Sequence, residues 1–137
     1  MKWIEEYATG VERIDEQHKM IFKTTDDFRA ELNDGRGEKF YSLMLNFLMP
    51  YCRGHFGFEE QCMEKYHCPV AQQNREVHTR FKEVLDEFQQ RYEANGYQEG
   101  EARALLNLVE QWLAGHIASI DVHLRECVKE YADGTPA

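Results

Sequence analysis

Apolar positions recur along this chain at helical spacing almost from end to end. A first run, Ile14, His18, Ile21, Phe22, Thr25, Phe28 and Leu32, follows the i, i+3, i+4 stripe of a half-buried helix, and Gly35-Arg36-Gly37 stops it. A second run reads Phe40, Met44, Phe47, Leu48, Tyr51, His55, Glu59, Cys62 and Tyr66. It breaks at Cys68-Pro69, because proline cannot continue a helix but opens the next one well. A third reads Val70, Asn74, Val77, His78, Phe81, Leu85, Phe88 and Tyr92, and Asn95-Gly96 supplies a left-handed stop. A fourth reads Leu105, Leu108, Val109, Trp112, His116, Ile120, Leu124 and Val128. No alternating strand pattern of useful length occurs. The pattern predicts an all-α fold, an antiparallel up-down four-helix bundle. Its helices are expected at about 15–34, 38–66, 69–95 and 98–132, with an N-terminal arm of about 1–14, carrying Trp3 and Tyr7, laid across them.

Length and composition narrow this picture. A chain of 137 residues is expected to form one domain, residues 1–137, since two independent cores would be hard to build from it. With 42% hydrophobic and 30% charged residues the chain is not disordered as a whole. Lys and Arg number 16 against 25 Asp and Glu, a formal net charge of −9, which repels phosphate backbones and acidic lipid, so neither nucleic acid nor membrane is an expected partner. No apolar run approaches the roughly 20 residues that span a bilayer. Met1-Lys2-Trp3-Ile4-Glu5-Glu6 does not read as a signal peptide, and a cytoplasmic location is expected. Cys52, Cys62, Cys68 and Cys127 show no C-x-x-C spacing and are expected to be four ordinary thiols.

Seven residues on the inward stripes are not apolar: His18, His55, Glu59, Asn74, His78, His116 and Asp121. Their heights follow from the turns. With turn centres near residues 36, 68 and 97, and about 1.5 Å of rise per residue, the four histidines match in level to within about 5 Å. Glu59, Asn74 and Asp121 fall about one turn away. Buried carboxylates are costly unless paired or bound to a cation, and neutral imidazoles do not pair them. No Lys or Arg lies on these stripes near that level. Two divalent ions with two carboxylates, four imidazoles and a hydroxide bridge come close to charge balance. Histidine with carboxylate and no cysteine suits non-haem iron or manganese better than structural zinc. His67 is about 18 Å along the helix from His55, and His123 leaves the stripe, so both are expected outside the site. Pro50 frees the Asn46 carbonyl and predicts a kink or bulge beside His55.

These residues bring a family into view. Trp3, Tyr7, Thr9-Gly10-Val11, Ile14-Asp15-Glu16-Gln17-His18, His55-Phe56-Gly57-Phe58-Glu59-Glu60, Met63, Tyr66 and Trp112-Leu113-Ala114-Gly115-His116-Ile117, ending at Asp121, resemble the bacterial hemerythrin domains over nearly the whole chain. The resemblance implies two non-haem Fe ions with an oxo/hydroxo bridge, a site for O2 or another small exogenous ligand. It implies that His18 and His55 hold one iron, His78 and His116 the other, and that Glu59 and Asp121 bridge them. The family's third helix carries His-x-x-x-His; here the first member is Asn74, in Asn74-Arg75-Glu76-Val77-His78. Asn74 is expected to ligate weakly or to hydrogen-bond a water, leaving both irons with an exchangeable position.

Three functions from different classes are compatible with such a site. The preferred expectation is a redox or O2 sensor whose iron oxidation state or bound O2 regulates a partner protein or an attached signalling output domain. An oxygen carrier or store is the second. A di-iron enzyme reducing O2, peroxide or nitric oxide is the third. The missing imidazole favours sensing, since an open site registers oxidation state readily and holds O2 badly.

Overall fold

The computed structural model describes residues 2–132 of the chain. A 3-10 turn, Glu5–Tyr7, precedes five helical elements: α1 (Glu12–Asn33), α2 (Gly37–Lys65), α3 (Ala71–Asn95), α4 (Glu99–His116) and α5 (His123–Ala132), with a π-helical turn, Ile117–Asp121, between the last two. No strand is present among the described residues. This is the expected all-α bundle, with α4, the π turn and α5 together supplying its fourth rod. Among the described residues no helix is long and apolar enough to cross a membrane.

The turns are set by local backbone chemistry. α1 closes with Gly35 at φ +80°, where Arg36 N–H donates to Glu31 O at 2.8 Å and Gly35 N–H to Leu32 O at 3.1 Å. That paired closure satisfies two carbonyls the helix would leave open, and glycine takes the left-handed position without cost. α2 ends the same way on a costlier residue. His67 holds φ +56°, Cys68 N–H donates to Met63 O at 2.8 Å and His67 N–H to Glu64 O at 3.1 Å. The closure turns Cys68 back toward Met63, and both are buried in one cluster. α2 remains helical through Pro50.

Two apolar clusters form the interior. The larger contains Ile21, Phe22, Phe28, Tyr41, Leu48, Cys52, Phe56, Phe81, Leu85, Leu105, Leu113 and Ile117, among others. The smaller contains Ile14, Cys62, Met63, Cys68, Ile120, Leu124 and Cys127. On the first three helices a polar inward residue falls between the two sets: His18 between Ile14 and Ile21, Glu59 between Phe56 and Cys62, His78 between Val77 and Phe81. The N-terminal arm lies over α1 and α5. Tyr7 stacks on Phe22, Lys19 sits over the Trp3 ring, and Arg125 donates to the Ala8 and Glu6 carbonyls.

Two expectations are corrected. The fourth helix is not continuous from 98 to 132: the π turn interrupts it immediately after His116. The cysteines are not four ordinary thiols. Cys68 and Cys127 are joined by a disulfide with their Cα atoms 5.5 Å apart, and only Cys52 and Cys62 are free. Pairing is decided by Cα separation and side-chain direction, and a sequence separation of 59 carries no trace of either.

Candidate metal centre

The seven polar inward residues meet at the seam between the two clusters. His18, Glu59, Asn74, His78 and Asp121 have no solvent exposure, and His55 and His116 retain 2% and 5%. His67 and His123 are exposed and stand apart from them.

Each helix contributes through its own register. α1 presents His18 one turn from Ile14 and Ile21. α2 presents His55 and Glu59, an i, i+4 pair on one face. α3 presents Asn74 and His78 in the same relation. α4 presents His116, but Asp121 lies five residues on. In a regular α-helix that spacing turns a side chain about 140° away. The π turn corrects it. Val122 N–H donates to Ile117 O at 3.0 Å, an i, i+5 bond, and the widened turn brings Asp121 back to the face of His116.

The two carboxylates divide their oxygens between two pairs of imidazoles. Glu59 Oε2 lies 3.4 Å from His18 Nε2 and 3.5 Å from His55 Nε2. Glu59 Oε1 lies 3.0 Å from His78 Nε2 and 3.9 Å from His116 Nε2. Asp121 Oδ2 is 3.3 Å from His18 Nε2, and Asp121 Oδ1 is 3.1 Å from His116 Nε2. Two groups of donors result, His18–His55–Glu59 and Glu59–His78–His116–Asp121, each with its ligand atoms within 4.8 Å of one another and with Glu59 in both. This donor set could hold two cations bridged by both carboxylates.

The polar bookkeeping of the pocket points the same way. His18 Nδ1 and Nε2, Glu59 Oε2, Asn74 Oδ1, His116 Nδ1 and both Asp121 oxygens have no hydrogen-bond partner among the described residues. A buried group of this kind costs roughly 1–3 kcal/mol, more when charged, unless something else engages it. His78 Nε2 and His116 Nε2 lie 3.0 Å apart, two ring nitrogens aimed at one point. The residues therefore fit a pair of metal ions on the chemistry of their donors and on their unmet lone pairs.

Without a cation the pocket draws in protons instead. Burial works to lower the pKa of His18, but the facing carboxylates of Asp121 and Glu59 override it and bring it up to about 9. His116 is carried up to about 9 by the same balance. His55 goes the other way, down to about 3, because burial dominates. Glu59 is held well below the usual carboxylate range by His116, His18 and His78 against the effect of burial. Burial and the neighbouring Glu59 charge raise Asp121. His18 and His116 are the two rings that face both carboxylates.

Two residues beyond the stripes orient the rings. His55 Nδ1 is 2.7 Å from Gln17 Oε1, and His78 Nδ1 is 2.9 Å from Glu60 Oε2. Such outer contacts fix which ring nitrogen faces a metal and how basic it is. Glu60 is in turn 3.9 Å from Arg75 Nε, and Arg75 Nη2 donates to Glu64 at 2.9 Å. The stripe reading assigned neither Gln17 nor Glu60 a role. The available signal is adjacency, since each is the chain neighbour of an inward polar residue. Asn74 donates from Nδ2 to Glu59 Oε1 at 3.2 Å and leaves its own oxygen in the pocket without a partner.

Aromatic rings wall the second donor group. Phe56 stacks on His78 at 3.9 Å between centroids, and Trp112 stacks on His116 at 4.6 Å and on Phe81 at 3.9 Å. Beside them Ile21, Cys52, Phe56, Phe81, Val109, Trp112 and Leu113 enclose a small apolar void.

Comparison with known proteins agrees with this geometry. Residues 9–126 match the Hemerythrin HHE cation binding domain family. The chain is similar to the bacteriohemerythrins of Pseudomonas aeruginosa strain UCBPP-PA14 and Pseudomonas paraeruginosa, 26% identical over 140 residues in each case, covering 96% of this chain and 89% of the relative. It is equally similar to the bacteriohemerythrin of Stenotrophomonas maltophilia, 26% identical over 141 residues with the same coverage.

Proposed function

The chain belongs to the hemerythrin HHE cation binding domain family, and on that premise we propose that it is a redox or O2 sensor built on a pair of non-haem irons. Domains of this family bind non-haem iron, typically as a di-iron pair, and take O2 as a small ligand. Iron, when bound, supplies reversible electron transfer and open positions for small molecules. In this reading His18 and His55 hold one ion, His78 and His116 the other, and Glu59 and Asp121 span both. The observation that carries it is the division of each carboxylate's oxygens between the two imidazole pairs.

The protein's own residues supply three things. Gln17 and Glu60 hold the rings of His55 and His78 with Nε2 inward. Phe56, Phe81 and Trp112 keep water from the second half of the site, and their apolar surface suits an uncharged diatomic ligand. Asn74 steadies Glu59 through its amide and gives that half of the site an oxygen donor in place of an imidazole. An amide oxygen is a weaker donor to ferrous iron, so this half stays open and its oxidation state changes readily. Asp121 then couples the site to the chain, because it ends the π turn from which α5 departs. A change in the charge that Glu59 and Asp121 compensate biases that turn, and a partner protein or attached output domain reads it. The whole of residues 1–137 acts as one domain in this reading, which the single family match over 9–126 supports.

Anaerobic reduction followed by exposure to air, tracked by the electronic spectrum, tests the proposal. Rapid conversion to a ferric spectrum supports the sensor. A coloured form that persists in air and reverses under argon favours a carrier. Sustained consumption of O2, peroxide or nitric oxide with a reductant present favours an enzyme.

A further inference from the structure

The Cys68–Cys127 bridge has no part in the metal site, yet it is placed to govern it. Cys68 is turned inward by the closure of α2, one residue past the left-handed His67. Cys127 continues the buried stripe Ile120, Leu124, Cys127 at i, i+4, i+7. Both belong to the seven-residue cluster that closes the metal pocket on the side away from the main core. α5 is ten residues long, too short to hold as a helix by itself in water. Besides this cluster, its ties include Arg125 to the arm carbonyls and the edge contact of Tyr131 with Tyr66. The bridge is the covalent link that keeps α5 seated, and Asp121 is six residues before it.

We propose that Cys68 and Cys127 form a thiol–disulfide exchange site for low-molecular-weight thiols, and that its state controls access to the metal pocket. The reaction is a two-electron exchange. A thiolate attacks one bridge sulfur, forming a mixed disulfide as the Cys68–Cys127 bond breaks, and the released protein thiolate takes up a proton. A second thiolate attacks the mixed disulfide, giving a small-molecule disulfide and the second protein thiolate, which is protonated in turn. Oxidation by the small-molecule disulfide reverses both steps. In a cytoplasmic setting such a bridge is held by exchange rather than by an oxidising compartment. Its reduction frees α5 and the Ile120–Leu124 flank, and the small cluster opens while the larger core stays packed. Both cysteines are buried, at 5% and 6% exposure, so attack by a small thiol goes through a local opening of the small cluster at α5.

The inference about access rests on the metal reading above; the inference about exchange does not. The full iron-loaded chain is equilibrated in graded reduced and oxidised glutathione buffers. Alkylation after denaturation and intact mass then count thiols: two in the bridged state, Cys52 and Cys62, and four in the reduced state. On the same samples, iron extraction by a chelator and hydrogen exchange of peptides from α5 are measured. Iron loss and α5 exchange are expected to be at least about tenfold faster in the four-thiol state, as for a local opening of modest free energy. Cys127→Ser and, separately, Cys68→Ser, each with three cysteines, should lose iron and exchange α5 at the rates of the reduced state in every buffer. Four alkylations even in oxidised glutathione, or equal rates in the two states, overturn the proposal. A chain that never binds iron defeats the metal reading, while thiol count and α5 exchange still decide this one.

Discussion

His116 and Asp121 are five residues apart and face the same pocket, with Nε2 3.1 Å from Oδ1, because the turn between them is π rather than α. The widened turn accommodates one residue more than an α-helical path would need. Ser119, exposed and donating its hydroxyl back to the Gly115 carbonyl, is a residue whose removal should restore regular spacing. Deleting Ser119 should retain the helix content and two irons, with unfolding free energy changed by no more than about 2 kcal/mol. Inserting Ala after Ser119 turns Asp121 about a further 100° away and should abolish iron binding. Circular dichroism with metal analysis reads both; loss of iron in the deletion would show that the π geometry itself is required.

Gln17 and Glu60 test whether the rings need orientation. Gln17→Ala and Glu60→Ala should each weaken iron binding by about 10–100-fold, measured by competition against a chelator. Glu60→Gln should recover part of the loss, since it keeps an acceptor oxygen and gives up the charge. Equal affinity across all three variants would reduce these contacts to packing.

Asn74→His supplies the imidazole that the third helix lacks. Conversion to the ferric spectrum in air should slow severalfold, and the coloured form should last longer. An unchanged time course removes Asn74 as the source of the site's openness.

The metal-free protein should lose stability as pH rises through the neutral range. His18 and His116 titrate at about 9 when folded against 6.5 otherwise, so the native state binds more protons between those values. Stability from these groups is full below about 6.5 and lost as pH passes about 9. Asp121, also raised, acts in the same direction, and Glu59, lowered, is ionised throughout this window. Urea unfolding of chelator-treated protein at pH 6, 7.5 and 9 should give falling midpoints. Iron loading near neutral pH should release protons, because metal and imidazolium compete for the same lone pairs.

Chelation should lower the thermal midpoint at fixed pH. Free metal at 100 times its dissociation constant contributes about 2.7 kcal/mol per site, which for a domain of this size is a shift of roughly 10 °C. Calorimetry with and without chelator measures it, and coincident curves would mean that the pocket folds as well empty as filled.

The legible part of the molecule was periodic. Ile14, Ile21 and Phe28 on α1, or Phe81, Leu85 and Phe88 on α3, announce their helix by spacing, and polar residues on the same stripes announce a site by interrupting it. Heights counted from the turns bring His18, His55, His78 and His116 together because helical rise is nearly constant. The π turn was not legible, since Ile117-Ala118-Ser119-Ile120 is an ordinary helical sequence and the distortion answers to where Asp121 must point. The Cys68–Cys127 bridge was not legible either, because it depends on the left-handed closure at His67, a conformation histidine takes only in a small minority of positions. Gln17 and Glu60 sit off the stripe, and their roles exist only once rings are placed beside them.

Donors to the pocket run from residue 18 to residue 121, so the site draws on the first rod and on the last. During synthesis, a chain still short of Asp121 offers the first donor group, complete at Glu59, while the second waits for the last rod to emerge.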